Sequence, residues 1–293
     1  MKLDHGQTRR MFLKLIATST LAGFYPVFSL AEMSANEQRA AKTPGDNDVE
    51  QLNVNFISSA DENLVIPAIL KKPKGNGPFP AVVLMAGCSP EYFNNIRESS
   101  WASRLLSWGC VTIQPESWGP RHDSGVCSRS EYLRIPWMAE VRALDAFDAK
   151  AYLAKKPFID PNRIAIMGWS HGGWTVLAAL RPDFTFDKKI GSFRAGVAFY
   201  PYCMGPLDKL NAPLLILHGG KDKWAPAETC TEKMPKGETA NEVIHHIYPD
   251  AYHDFDWPGT DETFEGQRLL YSPAATKLAI KDVKAFLTKH LVL

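Results

Sequence analysis

The chain has 293 residues, 45% of them hydrophobic and 22% charged, and a formal net charge of +1. This is the composition of an ordinary globular chain long enough to bury one sizeable core. The balanced charge argues against nucleic acid or an anionic membrane surface as the main partner, since both call for a basic patch.

The chain opens with Thr8-Arg9-Arg10-Met11-Phe12-Leu13-Lys14, followed by a moderately apolar run from Ile16 to Ala31 that ends in Ser29-Leu30-Ala31. A charged start, a short apolar run and a small-x-small end predict a secretory signal over residues 1–31. The paired arginines resemble a twin-arginine export signal; a general secretory signal holding two arginines by chance is the alternative. The run is too short and too polar for a stable membrane anchor. No cysteine precedes Cys88, so none is available to carry a lipid at a processed N-terminus. The expected partner is therefore the twin-arginine export machinery, and the expected location is the periplasm or the exterior. Residues 32–50 are polar and aperiodic and read as a flexible leader to a single domain over 51–293.

Export would put the five cysteines in an oxidising compartment, where pairs persist. Cys203 and Cys230 flank one strand-turn unit, and Cys88 and Cys127 lie in two loops. The expected bridges are Cys88 with Cys127 and Cys203 with Cys230, although spacing alone does not fix connectivity. Cys110 heads an apolar run and reads as a buried thiol. No cysteine spacing fits a metal site, and no cofactor motif is present.

In chain order, Leu52 to Ile57 and Leu64 to Leu70 read as a hairpin turning through Ser58 to Asn63. Ala81 to Met85 is a continuous apolar run, as a strand buried on both faces would be. Ser99 to Trp108 has helical spacing, and Val111 to Gln114 returns as a strand. A long loop over 115–132 holds Trp118, Arg121, His122 and Cys127. Trp137, Val141, Leu144, Phe147 and Ala151 mark one face of a helix opened by Pro136. Further strands follow at Ile164 to Met167, Ala195 to Tyr200, Pro213 to His218 and Glu242 to Tyr248, which is expected to be the last. Ser272-Pro273 caps a final helix with Ile280, Val283, Leu287 and Leu291 on one face. Strands alternating with helices predict an α/β fold with a mostly parallel sheet covered on both sides.

Chemistry concentrates at Gly168-Trp169-Ser170-His171-Gly172, a G-x-S-x-G pattern between an apolar strand and a helical run from Trp174 to Leu180. That context is a nucleophile elbow, a strained turn that lifts Ser170 clear of the sheet. A glycine-rich turn with an incidental serine is the bland alternative. The partners should follow in the order Ser, acid, His. Asp222 lies just after the strand at 213–218, and His253 lies just after the strand at 242–248, so both fall on the strand-end edge that carries Ser170. Expected roles are nucleophile for Ser170, base for His253 and orienting acid for Asp222. The backbone N–H groups of His171 and Cys88 are the expected oxyanion donors. Asp254 and Asp256 lie too close to His253 to replace the acid, and Glu228 is a weak alternative. His218 reads as structural, and His245 and His246 point to opposite faces of a strand. Asp250, His253 and Asp254 make a metal cluster only on paper.

With those residues in place, the stretch from about 51 to 293 resembles the dienelactone hydrolase family of α/β-hydrolases. The resemblance rests on Gly168-Trp169-Ser170-His171-Gly172-Gly173, on Leu217 to Asp222 (LHGGKD), on Tyr248 to Phe255 (YPDAYHDF) and on Tyr271 to Ala275 (YSPAA). Glu116 to Arg121 (ESWGPR) looks like that family's Asp-Ser-Phe-x-Pro-Arg loop. The enzyme that names the family uses a cysteine nucleophile where this chain has Ser170, and the family often has His where this chain has Ala86. The resemblance therefore implies a serine esterase without a cofactor. An amidase or peptidase with the same triad, and a non-catalytic binding protein on the same fold, are the alternatives. Only Pro201 to Ala212 separates two strands, so no large cap domain is expected. Trp118, Trp169, Trp224, Tyr252, Phe255 and Trp257 could wall an acyl or aryl group or simply pack the loop bases. Arg121 could pair with a substrate carboxylate, as the resemblance implies, or tie its own loop down.

Overall fold

The computed structural model describes residues 49–131, 133–184 and 190–293. The expected signal segment, and all of the leader but its last two residues, lie outside the described residues. Those two residues, Val49 and Glu50, open the first strand.

Strands β1 (Val49–Ser58) and β2 (Asp61–Pro73) form the antiparallel hairpin. The turn is tighter than expected, because pairing continues to Ser58 with Asp61 and leaves only two residues between. It is anchored from outside: the Ser58 hydroxyl bonds Asp145 Oδ1 at 3.1 Å, and the Ser59 N–H bonds Asp148 Oδ2 at 2.7 Å. After β3 (Phe79–Met85) come α1 (Ile96–Ser107), β4 (Val111–Pro115), α2 (Ile135–Ala154), β5 (Ile159–Trp169) and α3 (His171–Leu180). The chain continues through β6 (Gly196–Phe199), β7 (Leu214–Gly219), the one-turn helix α4 (Glu228–Thr231), β8 (Val243–Tyr248), β9 (Asp261–Phe264), β10 (Gln267–Leu270) and α5 (Pro273–Leu291).

Eight strands form one sheet in the order β1-β2-β4-β3-β5-β6-β7-β8. The β1/β2 and β2/β4 pairs are antiparallel, and every pair from β4 to β8 is parallel. The apolar runs of the sequence are its central strands, buried on both faces. Side chains alternate across β3: Ala81, Val83 and Met85 pack with α2 and α3, while Val82 and Leu84 pack with α1 and α5. The Ser272 hydroxyl caps α5 by accepting from the Ala275 N–H at 3.3 Å, and Val283, Leu287 and Leu291 are buried on it.

Two expectations about elements fail. Trp137 is 49% exposed and does not face the core. Helix α2 meets the sheet through the expected Phe147 and through small residues, Ala139, Ala143 and Ala146, which allow close approach and which a search for large apolar side chains overlooks. Strand β8 is also not the last: β9 and β10 form a separate antiparallel pair, turning through Glu265 and Gly266, both at positive φ. Their four-residue, largely polar sequences carry no apolar period to announce them.

Cys88 is bonded to Cys127 and Cys203 to Cys230, while Cys110 is a buried free thiol. Among the described residues no helix is long and apolar enough to cross a membrane.

Candidate active site

Strand β5 delivers the chain into a turn at Ser170, whose φ of 52° and ψ of −116° lie outside the usual regions for an L-residue. The neighbouring backbone leaves no alternative to glycine on either side. A Cβ on Gly168 would meet the Gly172 carbonyl at 2.2 Å, and one on Gly172 would meet the Met85 carbonyl at 2.0 Å. The turn is held by the Ser170 N–H on the Phe199 carbonyl at 3.0 Å and by the Trp174 N–H on the Ser170 carbonyl at 2.9 Å.

The loop after β8 brings in His253. Its Nε2 lies 3.1 Å from Ser170 Oγ, and its Nδ1 lies 2.7 Å from Asp222 Oδ2. The other Asp222 oxygen accepts the N–H groups of Trp224 and Ala225, at 2.8 and 2.9 Å. With Asp222 accepting, Nδ1 carries the hydrogen and Nε2 is left to take a proton from the serine hydroxyl. Burial lowers the basicity of His253, but the Asp222 charge and hydrogen bond outweigh it, so the pKa is raised above 6.5. The ring is flanked by Tyr200 and Trp224, with centroids 4.5 and 5.2 Å away. Strand β10 supports the same loop, since the Leu270 N–H bonds the His253 carbonyl at 3.3 Å.

A small cleft opens onto these groups, lined by Gly87, Cys88, Tyr92, Ser170, Trp224 and His253. The loop after β3 runs along it with its carbonyls occupied. Arg142 donates to Ala86 O at 2.6 Å and Gly87 O at 3.1 Å, the Trp118 indole donates to Gly87 O at 3.3 Å, and the Val126 N–H donates to Cys88 O at 2.8 Å. His171, the first residue of α3, has a buried ring between Arg142 and the Ile135 carbonyl.

Arg97 and Asp254 also reach the cleft and belong to a buried polar cluster. Arg97 donates to Asp254 at 2.5 Å, to Tyr200 Oη at 3.0 Å and to Glu98 at 2.8 Å. Asp256 accepts from Tyr200 Oη at 2.6 Å and from the indoles of Trp101 and Trp169 at 2.7 and 2.9 Å. Burial raises the Glu98 pKa to about 7 and also raises that of Asp256. Asp254 and Asp256, weighed from the sequence as substitute acids and, for Asp254, as a member of a metal cluster, thus hold the segment that carries His253.

Of the expected substrate contacts, only Trp224 lines the cleft. Trp118 and Trp169, expected as substrate contacts, are 1% and 0% exposed and spend their indole N–H groups on Gly87 and Asp256, so they brace the loop bases and do not wall the cleft. Arg121 is likewise occupied. It forks onto both oxygens of Asp145 at 2.8 Å and also bonds Ser117 O and Ser58 Oγ, which ties its loop to α2 and the first hairpin. His218 is buried with Nε2 on the Pro201 carbonyl and Nδ1 2.9 Å from His245, while His246 pairs with Asp282 on the other side of β8. Asp250 is paired with Lys221, Asp254 with Arg97 and His253 with Asp222, so those three do not assemble a metal site. Glu228 is exposed at the start of α4.

The chain is similar to a provisionally named carboxymethylenebutenolidase of Methylorubrum extorquens, at 26% identity over 82% of each chain. A relative of the same name in Escherichia coli is 28% identical over 82% of this chain and 88% of its own length. In structure it resembles a provisionally named dienelactone hydrolase of Klebsiella pneumoniae, with a TM-score of 0.60, 22% identity and coverage of 82% and 98% of the two chains. The sequence profile described as the dienelactone hydrolase family matches residues 66–291. That match spans every strand from β3 onward together with Ser170, Asp222 and His253, and the chain belongs to the dienelactone hydrolase family of α/β-hydrolases.

Proposed function

We propose that the protein is an exported serine hydrolase that cleaves carboxylic esters through an acyl-enzyme intermediate. The observation that carries this reading is the relay from Ser170 Oγ to His253 Nε2 at 3.1 Å and from His253 Nδ1 to Asp222 at 2.7 Å, built on a strained serine turn. Ser170 Oγ attacks the ester carbonyl carbon as His253 takes its proton. The carbonyl oxygen becomes an oxyanion held by the backbone N–H groups of Cys88 and His171. Collapse of that intermediate expels the alcohol, which receives the proton back from His253. Water then repeats the sequence on the acyl-enzyme and releases the acid. Asp222 stabilises the imidazolium formed in both halves. The relatives' name denotes enzymes acting on a butenolide, itself a cyclic ester, which is consistent with ester rather than amide chemistry.

Export is supported by the Arg9-Arg10 signal pattern and by the two disulfides, which persist in oxidising compartments. Fractionation of cells producing the wild type and an Arg9→Lys, Arg10→Lys variant tests it. The variant should stay in the cytoplasm, and equal periplasmic amounts would remove the twin-arginine assignment.

The activity is tested with p-nitrophenyl esters from acetate to long acyl chains, alongside p-nitroanilides. Wild type should turn over the esters, and Ser170→Ala should lose more than about 10⁴-fold in kcat. A folded wild type that is inactive on every ester, and whose Ser170 is not labelled by a fluorophosphonate, would overturn the reading in favour of a binding protein. Preferential cleavage of the anilides would turn it into an amidase.

A further inference from the structure

Arg142 takes no part in the relay, yet it touches both segments that flank Ser170. It is 1% exposed on α2. Its partners are Ala86 O, Gly87 O and His171 Nδ1, at 2.6, 3.1 and 2.7 Å, and its guanidinium lies 4.7 Å from the centroid of the Trp118 ring. The His171 tautomer follows from the contacts. Nε2 lies 3.0 Å from the Ile135 carbonyl, which can only accept, so Nε2 carries the hydrogen and Nδ1 accepts from Arg142. Burial first, and Arg142 second, push this imidazole down to about 3, so it stays neutral and keeps that arrangement at working pH.

The consequence lies in peptide geometry. The Gly87 carbonyl and the Cys88 N–H belong to one planar trans peptide and point in opposite directions. Arg142 and the Trp118 indole both hold that carbonyl on the buried side. The Cys88 N–H is thereby turned the other way, toward the cleft lined by Cys88 and Ser170. The same logic applies at the elbow. The Ser170 carbonyl accepts from Trp174 within α3, so the His171 N–H points back out of the helix start. Arg142 links the two donor segments, gripping one by its carbonyls and the other by the His171 ring.

We propose that Arg142 is a positioning residue for the oxyanion site, setting the Cys88 peptide and locking it to the segment that presents the His171 N–H. This rests on the serine-hydrolase reading above. A misaligned donor weakens binding of the oxyanion, which exists only in the transition state, and spares binding of the neutral ester. The loss therefore falls on kcat and not on KM.

The test compares wild type, Arg142→Lys, Arg142→Met and Trp118→Phe by steady-state kinetics on one p-nitrophenyl ester and by inhibition with a trifluoromethyl ketone, which forms a tetrahedral oxyanion on the serine. Loss of one oxyanion donor costs roughly 10²- to 10³-fold in kcat, and Arg142→Met should reach that range. Arg142→Lys retains a donor and should recover about tenfold of it. Trp118→Phe removes the second grip on Gly87 O and should lose fewer than about ten-fold. Across the set, ketone affinity should fall in step with kcat/KM while KM changes less than about threefold. If Arg142→Met does not fold, the Lys and Phe variants carry the same comparison. Variants that keep wild-type kcat and ketone affinity, or that lose through KM alone, overturn the inference and leave the hydrolase reading intact. A wild type with neither turnover nor phosphonate labelling overturns both.

Discussion

Arg142 and Arg97 are both fully buried, and each serves one half of the site from opposite chemical surroundings. Arg97 is set among carboxylates. Burial disfavours its charge, but Glu98, Tyr200 and Asp254 win, and its pKa rises well above the ordinary value. Arg142 has neutral hydrogen-bond partners, two carbonyls and an imidazole, and burial lowers its pKa. The first arrangement is a knot of compensated charge. It fixes Asp254 at a φ of 57°, a left-handed conformation directly after His253, and so steadies the acid–base half. The second is a brace that orients peptides on the oxyanion half. Removing Arg97 should therefore read out mainly as stability, and removing Arg142 mainly as kcat.

The largest test of that division acts within the acid–base half alone. Asp222→Asn should lower kcat by about 10⁴-fold, because it leaves His253 in the wrong tautomer. It should also move the pH profile. In the wild type the raised His253 pKa places the rising limb of kcat/KM above pH 6.5, since the base must be neutral. The matching stabilisation has the opposite sign: it is fully present below 6.5 and is lost as pH rises through the folded-state pKa. Without Asp222 the largest raising influences are gone and burial dominates over the smaller Asp254 and Arg97 charges, so residual activity should rise at lower pH than in the wild type. A limb that stays in place would assign it to another group.

Arg97→Met comes next, at about 3–5 kcal/mol of lost stability, because Asp254 and Glu98 would be left buried without their cation. Urea unfolding measures it, and a second substitution, Asp254→Asn, should recover part of the loss. A loss below about 1 kcal/mol, or a folded variant impaired only in kcat, would erase the distinction between the two arginines. On the oxyanion side, Cys127→Ser opens a bridge spanning 39 residues and should cost about 2–4 kcal/mol. Because Val126 N–H and Arg142 still hold Cys88 O and Gly87 O, its kcat should suffer less than that of Arg142→Met. A larger loss would make the disulfide the principal support of that loop.

The two halves were unequally legible in the sequence. The elbow, Asp222 and His253 each sit at a strand end within a short, typed pattern, and the order of strands and helices says which edge they share. The cysteine pairs were suggested by the loops that hold them, although spacing alone leaves connectivity open. The buried cluster was not legible: Arg97 and Asp254 lie far apart in the chain, and nothing local marks a charged residue as one that finds a distant counter-charge indoors. Arg142 was hidden differently. Helix α2 is buried on much of its circumference, so its stripe of small alanines and its buried Arg142, Asp145 and Lys150 blur the amphipathic period. The nearby indoles misled for a related reason. An aromatic residue in a site loop reads the same whether its ring faces substrate or its N–H is consumed beneath the backbone, as with Trp118 and Trp169.

The smallest expected effect concerns a stack that neither arginine touches. Phe264, 40% exposed on the β9–β10 hairpin, lies against Trp224 with centroids 5.1 Å apart and planes 13° from parallel, and Trp224 in turn covers His253 at 5.2 Å. Trp224 lines the cleft, so Phe264 supports a surface that an acyl or aryl group would meet without touching the reacting atoms. An aromatic pair of this kind contributes about 0.5–1.5 kcal/mol. Phe264→Ala should therefore raise KM for long-chain or aryl esters by roughly 2- to 10-fold, leave KM for acetate unchanged, and leave kcat and the pH limb within about twofold. If instead the pH limb moves while KM holds, the stack acts on His253 and belongs to the acid–base half. The hairpin would then join Arg97 in supporting the base rather than forming a wall of its own.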